Sequence, residues 1–188
     1  MASSGWRSAS TSSSTFRRAT DVVTLRFRDA TTKDVAAIAG LLNATAGALT
    51  ARFGEGRWSS MTSERSVELS LRHARLRVGV EKKRILTTLR LAPKKPWAID
   101  IAYFTPARRP LYLTGMAVSV AHQRQGLGRA ALEDARAVAL AWPADAIRLD
   151  AFDAPAGAGP FYDRCGYEER ARVAYKDDPL IYFELVLP

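Results

Sequence analysis

Apolar positions along the chain recur with two different periods, and the switches between them outline the elements. Val23, Leu25 and Phe27 alternate with Thr24, Arg26 and Arg28, the period of a half-buried strand, and place the start of the folded chain at Val22. Thr31 or Thr32 then caps a helix with Asp34 in its first turn, and Val35, Ile38, Leu41 and Leu42 form its apolar face. Residues 43–63 are rich in Gly, Ser and Thr and predict a loop with a short helix. A second amphipathic helix follows through Val67, Leu69 and Leu71. Leu76, Val78 and Val80, then Ile85, Thr87, Leu89 and Leu91, give two strands joined at the charged turn Lys82-Lys83. Pro93 and Pro96 end this hairpin, and Trp97, Ile99, Ile101 and Phe104 lie in a looser connection with room for a short strand.

The second half is more regular. Leu111 to Val120 is almost continuously apolar, as a strand covered on both faces should be. A polar break, Ala121-His122-Gln123-Arg124-Gln125, leads into a helix from about Gly126 to Trp142, stopped by Pro143, with Leu127, Ala131, Leu132, Ala135, Val138 and Ala139 inward. Ile147, Leu149 and Ala151 form a further strand, and a Gly/Pro-rich loop precedes a short helix around Phe161-Tyr162 that ends at Gly166. Two last strands run near Ala171–Tyr175 and Leu180–Leu187. Helices mixed with hairpins at the middle and the end predict an α/β (α+β) fold built on a single sheet.

At 188 residues the chain fits one domain, here residues 22–188, with an ordinary globular composition. Residues 1–21 read as a disordered tail: the first 20 hold seven Ser, Arg7, Arg17, Arg18 and no acid. An organelle targeting segment has the same composition and stays open. Cys165 is the only cysteine and His73 and His122 the only histidines, so no internal disulfide can form and no metal site is expected. No apolar run reaches the roughly 18 residues of a membrane span, and a cytoplasmic setting fits best. The net charge of +9 concentrates between Arg65 and Lys95, where ten Lys/Arg face two acids. A nucleic-acid surface is one reading, but these bases alternate with apolar residues and look like solvated strand faces. A polyanionic cofactor would also gain from the field.

The strongest local signal is Gln123-Arg124-Gln125-Gly126-Leu127-Gly128-Arg129-Ala130, a polar loop running from a buried strand into a helix. The first amides of a helix lack internal partners and carry positive potential. Glycines at 126 and 128 would let an anion such as a pyrophosphate rest on them, with Arg124 and Arg129 adding charge-assisted bonds. Three readings compete. A structural turn that only packs helix against strand remains open. A Walker loop is excluded, because no Gly-Lys-Ser/Thr follows. A dinucleotide fingerprint fits Gly126, Gly128 and Ala131 with Asp150 beyond, but too little chain follows and hairpins rather than βαβ units precede it.

With two further stretches, the loop resembles the GNAT superfamily of N-acetyltransferases. Leu113-Thr114-Gly115-Met116-Ala117-Val118 resembles the family's fourth strand, Gln123 to Gly128 its Gln/Arg-x-x-Gly-x-Gly/Ala signature, and Phe161-Tyr162-Asp163-Arg164-Cys165-Gly166-Tyr167 its short helix and turn. The resemblance runs from about Val23 to Val186. It implies a single mixed, mostly antiparallel sheet flanked by helices, split between its fourth and fifth strands. It also implies acetyl-CoA as cosubstrate, its pantetheine arm paired with backbone at Met116, Ala117 and Val118, and its pyrophosphate over Gln123, Arg124, Gln125, Gly126, Leu127, Gly128 and Arg129. Tyr162 matches the tyrosine that protonates the departing thiolate; its alternative is a ring buried for packing. Pro155 stands in a stretch where the family often has an asparagine, which puts that cofactor contact in doubt.

The implied reaction is direct attack by a primary amine of a small molecule or peptide. Such an amine, with a pKa near 10.4, is only about 0.04% neutral at pH 7, a cost of roughly 4–5 kcal/mol. A base must take its proton, and Asp150, Asp153, Glu81 or a water chain are candidates. Cys165 reads as a small packing residue. A module that holds acyl-CoA with little turnover, attached to nucleic acid through the basic hairpin, is the alternative. The last hairpin also leaves an edge for a second copy, a possible homodimer.

Overall fold

The computed structural model describes residues 23–188; the Ser/Arg-rich tail and the expected start at Val22 lie outside the described residues. The elements are β1 (Arg26–Asp29), α1 (Val35–Phe53), α2 (Glu64–His73), β2 (Arg75–Glu81), β3 (Arg84–Ala92), β4 (Pro110–Val118), α3 (Leu127–Ala141), β5 (Ala146–Phe152), α4 (Gly159–Arg164), β6 (Glu168–Tyr175) and β7 (Asp178–Val186). The strands make one seven-stranded sheet in the order β1-β2-β3-β4-β5-β7-β6. Every neighbouring pair is antiparallel except β4 and β5.

Two helical layers cover the sheet. Val35, Ile38 and Ala39 of α1 and Val67 of α2 pack on Leu76, Val78 and Val80. On the opposite face Ala131, Leu132, Ala135 and Ala139 of α3, with Tyr162 of α4, pack on Leu89, Leu91, Leu113, Leu149 and Phe183. The expected alternation puts Leu76, Val78 and Val80 of β2 under α1 and α2 and Leu89 and Leu91 of β3 under α3, but β3 is central, so its Leu86 and Thr88 are buried too.

Thr31 and Asp34 start the first helix as expected. The Asp34 carboxylate accepts from the Thr31 amide at 2.7 Å and from Arg28 at 2.7 and 2.8 Å. The Arg28 guanidinium holds that carboxyl far below the usual carboxylate range. Contrary to expectation, α1 then runs on through the Thr/Gly-rich stretch to Phe53. The polar side chains there serve the helix instead of breaking it. Thr45 and Thr50 donate back to the carbonyls of Leu41 and Ala46, both at 2.9 Å. Asn43 clamps the Thr62 backbone from both sides, at 3.0 and 2.7 Å. By length and composition Thr32–Phe53 could cross a membrane. Its residues Val35, Ile38, Ala39, Leu41 and Ala46 are buried, and it lies over β3 and β4, the place of a core helix. In α2, Leu69 faces solvent and the buried position is Val67. The connection 93–109 holds a single 3-10 turn, Ile101–Tyr103, in place of the expected short strand.

The seam between β4 and β5 determines the site. Pairing covers only Pro110, Leu111 and Tyr112 against Ala146, Ile147 and Arg148. Above it β4 keeps its bonds to β3, through Thr114, Ala117 and Val118, with a register shift at the Gly115 bulge (φ 59°). β5 keeps its bonds to β7 up to Phe152. The two strands therefore separate into a wedge whose inner edges are unpaired, as the resemblance implied.

Candidate active site

Below the seam the sheet is fastened by buried charge. Glu184, fully buried on β7, accepts from Arg148 of β5 at 2.8 Å, from Arg170 of β6 at 2.8 Å and from the Thr105 amide at 3.2 Å. Burial alone would raise the Glu184 pKa, but the bonds from Thr105 and Arg148 outweigh it and hold the carboxyl ionised. These contacts tie three strands and the 105 loop together, so the wedge opens above a rigid base.

The wedge leads to the start of α3. Gly126 sits at the N-cap in the left-handed region, φ 84°, where a side chain would be strained, and nothing lies within 4 Å of the place a Cβ would take. It supplies no side-chain cap, and among the described residues the amides of Leu127, Gly128 and Arg129 receive no backbone acceptor. Gly128 also has a steric role: a Cβ there would meet the Phe161 ring at 3.0 Å, so this glycine lets α4 approach α3. The loop from β5 to α4 is tight for a similar reason: a Cβ on Gly157 would fall 1.8 Å from the Phe152 carbonyl oxygen.

Between these elements lies a cavity of about 500 Å³, within the range of small-molecule sites. Met116, Ala117, Val118, Gln123, Arg124, Gly126, Gly128 and Arg129 line it, as does Tyr162. Two expected residues contribute differently. The Leu127 side chain is buried in the core, leaving its amide as its contribution, and Gln125 turns away to the Ala121 carbonyl at 3.3 Å. Arg129 is shared: its guanidinium donates to the Arg164 carbonyl at the end of α4, 2.6 Å away. Thr45 and Leu49 of α1 also line the cavity, and sequence reasoning missed them. Their signal was present, since Ile38, Leu42, Thr45 and Leu49 continue one helical stripe.

Tyr162 is held on α4 by a Schellman ending, with Tyr167 donating to the Tyr162 carbonyl at 3.1 Å and Gly166 to Asp163 at 2.9 Å. Its ring packs against Phe161, Tyr167 and Phe183. Its hydroxyl points at a sulfur, Met116 Sδ, 3.8 Å away. Burial, with Asp150 nearby, pushes the phenol well above its ordinary pKa, so it keeps its proton. Cys165 is half-buried, packs against the core and also lines the cavity, and burial raises its thiol as well, which disfavours a nucleophilic thiolate.

The three candidate bases separate clearly. Glu81 is held by Arg84 at 2.8 Å, and Asp153 by Arg172 at 2.9 Å. Asp150 has no ion-pair partner among the described residues; it lies on β5 beside the wedge, and burial raises its pKa. Trp58 stacks edge-on against Phe152 at the end of β5 (5.9 Å), Arg52 lies over its neighbour Phe53, and Tyr175 lines a separate hollow with Tyr182. Among the described residues no group of three or more His, Cys, Asp or Glu could hold a metal ion.

Comparison with known proteins agrees with this geometry. A family model described as "Acetyltransferase (GNAT) family" matches residues 63–167. Among curated proteins none matches the sequence. Solved structures with the same fold include a GNAT-family acetyltransferase from Streptococcus agalactiae, 16% identical, with a TM-score of 0.68 over 87% of this chain and 96% of that one. A ribosomal-protein-alanine N-acetyltransferase from Brucella melitensis is 16% identical, with a TM-score of 0.67 over 87% and 100%. The ribosomal-protein-S18-alanine N-acetyltransferase from Escherichia coli is also 16% identical, with a TM-score of 0.62 over 87% and 94%.

Proposed function

Since the chain belongs to the acetyltransferase (GNAT) family, we propose that residues 22–188 act as one domain that uses acetyl-CoA to acetylate a primary amine of a small molecule or peptide. The observation that carries this reading is the unpaired inner edge of β4 at Met116–Val118, continuous with the uncapped start of α3. A pantetheine arm with two amides suits the first, added like a strand. A pyrophosphate suits the second.

Acetyl-CoA, when bound, supplies the thioester that the amine attacks. The amides of Leu127, Gly128 and Arg129, with the Arg124 side chain, hold the phosphates. Met116, Ala117 and Val118 orient the arm along β4, and the apolar lining from Leu49 and Phe161 excludes water. Asp150 takes the amine's proton. Its raised pKa narrows the gap to an ammonium near 10.4, which otherwise makes the transfer strongly uphill. Tyr162 offers its hydroxyl to the departing sulfur, as it now does to Met116 Sδ. Its raised pKa makes full proton release to a thiolate of basicity about 8.5 uphill, so the hydroxyl acts foremost as a hydrogen-bond donor. The test is thiol release from acetyl-CoA across an amine library, beside a titration of the protein with acetyl-CoA. Release with at least one amine is expected; tight binding with no release from any amine would favour a non-catalytic acyl-CoA module.

A further inference from the structure

Resting on that reading, we infer that the acceptor amine carries a carboxylate, and that Arg90 binds it in a second, smaller cavity beside the wedge. This cavity, about 240 Å³, lies between α1, α2 and the sheet. Its polar lining is Arg90 with the hydroxyl residues Thr62, Ser66, Ser70, Thr88 and Thr114, and no acid is among the lining residues. Arg90 Nε donates to Thr114 Oγ1 at 2.7 Å and Nη1 to Ser70 Oγ at 3.3 Å. Among the described residues it makes no ion pair, and burial lowers its pKa. A half-buried guanidinium surrounded by hydroxyls is short of an anion.

The chemistry of that anion follows from the donors that remain. With Nε occupied, the outer edge of the guanidinium still presents N–H groups from both Nη atoms, the fork that a carboxylate fills bidentately. The lining holds a single positive charge, which matches a monoanion better than a phosphate dianion. The hydroxyls can supply further donors.

Position connects this cavity to the transfer site. Ile38 and Leu42 of α1 line the smaller cavity, and Thr45 and Leu49, the next two positions of the same stripe, line the wedge. On β4, Thr114 and Gly115 belong to the first and Met116 to Val118 to the second. The step from Leu42 to Thr45 is about 5 Å along the helix, a span that one small molecule bearing both an amine and a carboxylate can cover. Gly115 keeps the junction clear, since nothing lies within 4 Å of where its side chain would begin.

The test uses L-amino acids and short peptides, each paired with its C-terminal amide, with acetyl-CoA saturating and thiol release as readout. For the preferred acceptor, kcat/KM should be at least tenfold higher for the free carboxylate. That ratio should fall to about one in Arg90→Met and be partly kept in Arg90→Lys. Amides that serve equally well, or a preference that survives Arg90→Met, would overturn the inference. Thermal stabilisation by the same pairs in the presence of CoA gives a readout without turnover. Stabilisation by the carboxylates alone, lost in Arg90→Met, supports the inference even if no amine releases thiol, a result that would count only against the transfer reading. Equal stabilisation by acid and amide, or by neither, overturns the inference whatever the thiol assay gives.

Discussion

Arg148 and Arg90 are both removed from bulk water on the same face of the sheet, and their surroundings differ completely. Arg148 is saturated: Glu184 accepts from it, the Thr105 carbonyl accepts from it, and its guanidinium lies over Phe104. Arg90 has only two hydroxyls. A fold can bury an arginine with full compensation, as it does below the seam, so the missing counter-ion above it marks where a ligand's charge belongs. The acids repeat the contrast. Glu184 and Asp34 are tied to arginines and their pKa values fall, whereas Asp150 on β5 has no ion-pair partner among the described residues and burial raises its pKa.

The sharpest way to break this contrast is to make Arg148 resemble Arg90. Glu184→Ala leaves two arginines around an empty centre and should cost about 3–5 kcal/mol in urea unfolding, the range for stripping one partner from a buried pair. The same group sets a pH trend. Its folded pKa lies below its unfolded value of about 4.3, so its contribution is complete at neutral pH and should be lost as pH falls below that value; the acid loss of Tm should be shallower in Glu184→Gln.

Asp150→Asn should lower kcat about 100-fold, near the lower bound for general-base work. As pH falls, the slope of log kcat/KM should steepen from one to two below the raised Asp150 pKa, because amine and carboxylate must then both lose a proton. The variant should keep a slope of one throughout, and wild-type behaviour without that second step would remove the base assignment. Tyr162→Phe should cut turnover at least tenfold, with acetyl-CoA affinity nearly unchanged by titration; unchanged turnover would reduce Tyr162 to packing. The smallest effect is expected at Arg90→Met. Removing a charge that the protein does not compensate should move stability by less than about 1 kcal/mol, and a large loss would mean that Arg90 is structural after all.

The fold was largely readable because its second half is locally consistent. A buried strand, a polar break, glycine at the helix start and an apolar stripe all point to α3, and the same agreement marks the end of α4 at Gly166. The first half misleads where side chains serve the backbone. Nothing local distinguishes the Thr and Asn of a loop from those that bond into α1 and its neighbour, as Asn43, Thr45 and Thr50 do. The basic residues of the middle hairpin read as solvated because alternation assumes one wet face. Arg77, mostly buried and paired with Asp134, and Arg90, under the first two helices, show that both faces are covered. Gly128 also has a steric role that only the position of Phe161 reveals.

A sheet that parts along its middle has four borders instead of two. The outer pair, β1 and β6, faces outward, where strands invite pairing with other chains. The inner pair, β4 and β5, faces itself across the wedge, between α1 over β4 and α3 over both strands. With the proposed pantetheine arm paired there, the protein gains a docking rail along β4 without exposing a further outer edge.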